Sequence, residues 1–527
     1  MKTLSYKVML LAWVFVFQAS MHCLAAPQPP QDDVVTKPVR YADFGAVGDG
    51  KTDDFAAIAK AHAYANKHGR SVEADDKATY YIGGAAKTVA IQTSTDFGKA
   101  RFVIDDRELE DITKSVFEVQ SANVAFRPKG IASLTKGQPR LDVTLPSACV
   151  VVVTDDSVRR FIRRGLNVNS GKPQTDVFIV GPSGKVDPDT AIIWDFKQIT
   201  DIVAYPIDTE QLTITGGHFT TIANQASSEY NYHERGIAIR RSNVLVTGLE
   251  HHVTGEGETG APYRGFINIM RCSNVTVRDC VLTGRKTYRT IGRAGKPVSM
   301  GSYDINVNRA VNISFINCTQ TNDINDRRYW GIMGSNYCKN LVFDGCTLSR
   351  FDAHMGVANA TIRNSTLGHM GINAIGTGTL LIENTTIQSR RMINLRPDYG
   401  STWQGRFIIR NCIFKPYNGT RQVRPVLIAG SNDGKHDFGY TCYMPESIKI
   451  EGLRIEDTNV PGDYEGPAIF GDFNHRFVDE DYEEDFSYIK TKRVRLSGVT
   501  TSSGKPIRLS ENEVMFRGVQ LEQIDGD

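Results

Sequence analysis

Three stretches share one pattern: VNISFINCTQ at residues 311–320, KNLVFDGCTL at 339–348 and NATIRNSTLG at 359–368. Each is a short run of alternating apolar residues, then Asn or Gly, often followed by Cys, then a second apolar step. Read outward from here, the pattern recurs upstream and downstream, its marker residue falling at Gly216, Gly248, Asp279, Asn317, Gly345, Asn364, Asn384, Asn411, Gly452, Gly498 and Gly518. The spacing between markers runs from 19 to 46 residues, which excludes a helical repeat of fixed length. It suits an all-β fold, the right-handed parallel β-helix, whose coils need short stacked strands while the turns between them take any length.

Stacked coils bury one face of every strand, which demands the Val/Ile/Leu/Phe alternation. The tight bends favour Asn, Asp and Gly, which tolerate a left-handed backbone. Cys280, Cys318, Cys346 and Cys412 each follow a marker by one residue, so they are expected in one interior column as free thiols. No CxxC and no Cys/His ligand spacing occurs, and zinc is not indicated.

With 527 residues, 40% apolar, 23% charged, and 47 Gly, the chain is a folded, turn-rich protein. Its net charge of +2 falls to zero without Lys2 and Lys7, which argues against a general nucleic-acid or membrane-surface binder. Residues 1–25 combine those lysines with the apolar run Met9–Phe17 and small residues near Cys23-Leu-Ala-Ala26, the three zones of a secretory signal peptide. Export to the periplasm or medium is expected, in preference to a lipid anchor on Cys23. No later stretch approaches 18 apolar residues, so no transmembrane segment is expected.

Upstream, Asp43-Phe-Gly-Ala-Val-Gly-Asp-Gly-Lys-Thr-Asp-Asp54 leads into an Ala-rich helical stretch, Phe55 to Asn66, with Asp53 or Asp54 as N-cap and Gly69 near the C-cap. This segment resembles the start of the pectate-lyase superfamily, shared by β-helical polysaccharide lyases, polygalacturonases and phage tailspikes. The resemblance implies that the helix closes the open end of the solenoid. The expected organisation is a signal peptide at 1–25, a capping region with the first coils at 30–200, and the main β-helix at 201–527.

A second alignment, on glycines, places Tyr329, His354, His369 and Arg391 in one outward column across successive coils, a span of roughly 14 Å for strands about 4.8 Å apart. Around it lie Lys286, Arg328, Trp330, Arg390, Asn394, Arg396 and Tyr399. So basic a cluster in a chain of nearly zero charge points to an anionic polysaccharide, with sugar rings stacked on Tyr or Trp and carboxylates on Arg. The acidic run Asp479–Asp485 lacks the spaced ligands of a calcium loop, and no cofactor is expected.

These residues match the needs of β-elimination on a uronate polymer: Arg391 on the carboxylate, His354 as base, Tyr329 as acid, and His369 sharing the base role or binding the carboxylate. Together with the superfamily resemblance, the ladder suggests a secreted polysaccharide lyase acting on a glycosaminoglycan such as chondroitin or hyaluronan. Two other readings use the same fold. A glycoside hydrolase would draw a carboxylate pair from Asp323, Asp326 and Asp352, and an adhesin would bind carbohydrate without cleaving it. Oligomeric state is not legible.

Overall fold

The computed structural model describes residues 37–330, 332–479 and 481–524. The signal-peptide segment and Cys23 lie outside these residues. Three parallel sheets form a right-handed β-helix, one strand of each sheet per coil. Sheet A begins with Val39–Arg40 and Val72–Glu73 and ends with Gln520–Ile524. Its central interior file stacks Ile214, Val246, Val277, Phe315, Phe343, Ile362, Ile382, Ile409, Ile450 and Leu496 in register. Sheet B passes through Glu250–Thr254, Thr386–Ser389 and Ile413–Pro416. Sheet C passes through Ile267–Met270, Ile305–Asn308 and Ile393–Leu395.

The markers sit at the corner after sheet A, and ten of the eleven have a left-handed backbone, from Asn384 at φ 48° to Gly216 and Gly248 at 68°. Where the side chain is an amide it bonds along the stack, as from Asn384 Nδ2 to Asn364 Oδ1 at 3.2 Å. A second ladder stands at the opposite corner. There Asn274, Asn312, Asn340 and Asn359 each donate to the residue one coil earlier, the first of them to Asn243, over 2.8–3.2 Å. The eleventh marker is a correction. Val514-Met-Phe-Arg-Gly518 is not a strand: Glu513–Phe516 forms a short helix capped by Asn512, whose side chain accepts from Met515 N, and the last strand of sheet A begins after it.

The helix α1, Phe55–His68, covers the first coil with Phe55, Ile58, Ala61 and Ala65 buried. Asp53 accepts from Phe55 N, while Asp54 ties the preceding loop through Val47 N and Gly48 N. Gly69 ends the helix in a left-handed conformation. The region 30–200 also holds an element that the repeat pattern does not show. After the strand Phe117–Gln120 the chain leaves the solenoid and builds an antiparallel sheet from Cys149–Arg160, Lys172–Val180 and Asp201–Pro206. The coils resume at Leu212. This insertion packs Val150, Val152 and Val177 onto Val311 of sheet A, and Asp176 pairs with the buried Lys339 of that sheet at 2.8 Å.

All eight described cysteines are buried and unpaired. Cys318, Cys346 and Cys412 direct Sγ at carbonyls of neighbouring strands, and burial pushes the Cys338 thiol up to about 12. Because all eight are buried, they are expected to resist reagents in the native protein at neutral pH and all to titrate once it is denatured without reductant. A deficit of two or more in the denatured count would contradict the free column.

Candidate functional site

Sheet C turns one file of residues outward: Asn268, Asn306 and Gly334, then Asp352, one residue before the Ser335–Ala353 pair, Asn373 and Asn394; a register shift follows between Ser335 and Asn336. Asn306 donates to Asn268 at 2.8 Å and Asn394 to Asn373 at 2.7 Å. The shift is a bulge. Ser335 pairs with Ala353 and Asn336 with Met355, so His354 is the extra residue, thrown out of the ladder onto the outer face. It stands in a cleft of about 150 Å³ with Tyr232, Arg264, Tyr303, Asn306, Asn308, Gly334 and Asn336.

Two contacts fix the imidazole. His354 Nδ1 lies 2.8 Å from Asn336 Oδ1, an acceptor, so Nδ1 carries the hydrogen and Nε2 keeps its lone pair. Tyr399 packs edge-on against the ring at 5.5 Å, its hydroxyl 3.5 Å from Nε2. Burial, then the guanidiniums of Arg396 and Arg163, hold the His354 pKa well below 6.5. Neutral imidazole is the resting form.

Beneath the cleft floor the charges are paired. Asp352, fully buried, meets Arg350 at 2.5 Å and Arg396 at 3.3 Å; Arg396 also holds Asp398 at 2.8 Å, and Arg163 reaches Asp398 at 2.7 Å. Burial alone would raise the Asp398 carboxyl, yet Arg396 and Arg163 keep it far below the usual carboxylate range. Arg163 comes from the insertion. Its loop, residues 161–171, crosses the outer face of sheet C: Arg164 pairs with Asp433 on one side, while Asn167 bonds Tyr230 and Leu166 accepts from Ala294 N on the other.

The four residues expected in one column do not share it. The alignment equates Gly356 with Gly371, but Gly371 pairs with Arg350, at the corner entering sheet C, whereas Gly356 precedes Val357, which pairs with Gly376 in sheet A. Tyr329 and His369 meet at the corner between sheets B and C, where His369 Nε2 lies 3.3 Å from the Tyr329 carbonyl. There they line a second basin of about 320 Å³ with Trp330, Arg390, Arg327 and Tyr417. His354 is not in that basin. Arg391 is in neither: its Nη1 donates to Arg424 O, and Arg390 faces the basin in its place.

Of the remaining expected residues, Tyr399 packs on the His354 ring, Arg396 belongs to the ion-pair cluster beneath the cleft, Asn394 belongs to the file, and Trp330 lines the corner basin. Arg328 is exposed and held by Asp326 at 2.5 Å, and Lys286 Nζ donates to Gly257 O. The two basins adjoin, because the Tyr303 hydroxyl and Trp330 Nε1 both crowd Gly301. Asn306, Asn308, Asn336, Tyr303 and Arg264 were not singled out from sequence. One signal for them exists: Ile267-Asn-Ile-Met and Ile305-Asn-Val-Asn repeat at 38 residues, the same interval as Asp279 to Asn317. Among the described residues no His/Cys/Asp/Glu cluster is arranged to hold a metal ion, and no helix is long and apolar enough to cross a membrane.

No protein-family model matches the chain. A curated relative, the capsule KL64-specific depolymerase of a Klebsiella phage, is 29% identical over 125 residues, a stretch covering 21% of this chain and 12% of the depolymerase. The chain thus matches only a small part of that relative's length. Among solved structures, the tailspike gp61 of Pseudomonas phage phi297 aligns over 92% of this chain and 83% of its own, with 14% identity and a TM-score of 0.51. The tailspike gp49 of Pseudomonas phage LKA1 aligns over 90% and 83%, with 14% identity and a TM-score of 0.46. At such identity the likeness to the phi297 tailspike is one of architecture, and it agrees with the coil-by-coil register: this chain is a right-handed parallel β-helix.

Proposed function

We propose that the protein binds an anionic, uronic-acid-containing polysaccharide across the outer face of sheet C and cleaves it by β-elimination. The observation that carries this reading is the neutral His354 lining the cleft, its tautomer fixed by Asn336 and its Nε2 beside the Tyr399 hydroxyl, in a cleft whose described lining includes no carboxylate. A polysaccharide as the polymer is supported by the capsule specificity in the name of the depolymerase relative. Chondroitin, hyaluronan and acidic capsular polysaccharides are the polymers to test.

Elimination needs the uronate carboxylate neutralised, the C5 proton removed and the O4 leaving group protonated. Arg264, whose partner Glu234 lies 3.1 Å away, and the amides of Asn306 and Asn308 are the donors that face the cleft. They would take the carboxylate and the charge that develops on it. His354 Nε2 accepts the C5 proton. Tyr303 takes the acid role that sequence reasoning gave to Tyr329: its hydroxyl has no hydrogen-bond partner among the described residues, and burial raises its pKa, so the proton is retained until the leaving oxygen draws it. The corner basin, with Trp330, Tyr417 and Arg390, would hold neighbouring sugars by stacking and charge.

Hydrolysis is served less well. Asp326 is tied to Arg328, which lowers its pKa, and Asp352 is enclosed by two arginines; neither is poised to donate a proton to a glycosidic oxygen. Incubation with the polymers named above decides between the readings. Ultraviolet absorbance from a C4–C5 unsaturated uronate is the expected result. New reducing ends without that absorbance would select hydrolysis, and neither signal, with binding retained, would select an adhesin.

The depressed pKa of His354 sets a pH dependence. The base is active while neutral, so kcat/KM falls on the acid side only as pH drops through the folded-state pKa of His354, well below 6.5. Nearly full kcat/KM is expected at pH 6, and an acid limb centred near 6.5 would place the base elsewhere.

A further inference from the structure

Between the insertion and the solenoid lies a pocket of about 270 Å³ that shares no lining residue with either basin; Phe161 and Gly356 line one part of it. Trp194 and Arg160 come from the insertion, Gln404 and Thr377 from sheet A, and Tyr440 from the long connection after sheet C. Its volume falls just under the ~300–1,000 Å³ typical of drug-sized ligands. That is room for one or two sugar units, not for a polymer segment.

Its charges are unbalanced. Arg160 stacks over Trp194 at 4.7 Å; its Nε donates to Gln174 Oε1 and its Nη1 to Gly439 O, leaving Nη2 open. Among the described residues it forms no direct ion pair; burial disfavours its charge, and the more distant carboxylates of Asp437 and Asp155 favour it. Lys136, exposed at the rim, donates from Nζ to Gln404 Oε1 at 3.4 Å and also forms no ion pair. One carboxylate lines the pocket, Asp195, which accepts from the Lys136 backbone N–H. Two cations without a direct ion pair beside the Trp194 and Tyr440 rings, with Gln404 and Thr377 also lining the pocket, match an acidic pyranose: a carboxylate for the cations, an apolar ring face for the aromatics, hydroxyls for the rest.

We infer that this pocket is a second carbohydrate site that holds one uronate unit, its carboxylate on Arg160 and Lys136 and its ring against Trp194 and Tyr440. It shares with the proposed function only the class of sugar and takes no part in bond cleavage. A chain segment seated here would be anchored beside the cleft, because the Tyr440 hydroxyl donates to Tyr399 O, behind the ring that packs on His354.

The test is calorimetric titration of the full chain with sodium glucuronate, and with glucose as the uncharged counterpart. Glucuronate is expected to bind, to bind still in His354→Ala, and to bind at least about tenfold more weakly in Arg160→Gln and in Lys136→Gln. Lys136 is exposed, so its variant keeps the test valid should Arg160→Gln disturb folding. Unchanged glucuronate affinity in Lys136→Gln and Arg160→Gln, or equal affinity for glucose, overturns the site. A chain that yields no unsaturated product yet binds glucuronate through Arg160 and Lys136 would remove the elimination reading and leave this one standing.

Discussion

Alanine at position 354 is expected to lower turnover of a uronate polymer by about 10²–10⁴-fold, the scale of a lost general base. Folding should survive, because His354 is a bulged residue on the outer face whose partners are Asn336 and Tyr399. Tyr303→Phe should fall in the same range if its phenol delivers the proton. Asn336→Ala keeps the base but releases the tautomer, so a smaller loss is expected there, with the acid limb of the pH profile displaced. Asp323→Asn and Asp326→Asn should retain most activity. The two chemistries rank these positions in opposite order. Loss of activity in either Asp variant alongside an active His354→Ala would require the hydrolase.

The second large effect concerns stability. Asp352 is fully buried and faces two guanidiniums, and Arg350, itself 2% exposed, has Nε and Nη1 without hydrogen-bond partners. Asp352→Asn removes the negative charge and leaves both cations confined, which is expected to cost about 3–5 kcal/mol. Denaturant unfolding followed by circular dichroism measures it. Replacing Arg350 with Met in the same chain should recover part of the loss, since one confined cation is then removed. A loss under about 1 kcal/mol would mean that water reaches the cluster and that the cleft floor is softer than its geometry shows.

The coils were legible because each carries its own local signature. At the corner after sheet A the left-handed bend falls on Asn, Asp or Gly, and the residue after it, Cys280, Cys318 or Cys346, faces the interior. The same signature misled at Gly518, where Val514-Met-Phe-Arg repeats the apolar spacing but turns into a helix. The insertion was not legible. Its run Cys149–Val153 has strand composition, and nothing local distinguishes an antiparallel partner from a stacked coil. At the site the residue types were readable and the register was not. One bulge at His354 and one shift before Gly371 moved two His-Met-Gly triplets to different corners. Arg163 reaches Asp398, beneath the cleft, from more than 200 residues away in sequence, a distance that periodicity does not span.

In a plain solenoid each coil touches only its neighbours, so unfolding can begin at a free end and peel inward one coil at a time. Here the insertion leaves the chain before the main run of coils, yet it is fastened to Lys339, Asp398 and Asp433, well along that run. The C-terminal coils after Asp433 lack such a fastening among the described ion pairs with the insertion. Unfolding should therefore split into two stages, an early fraying of the last coils and a single concerted loss of everything the insertion clasps. Amide exchange would resolve it as a sharp step in protection along the sequence, and cutting the clasp at Arg164 would turn that step into a slope.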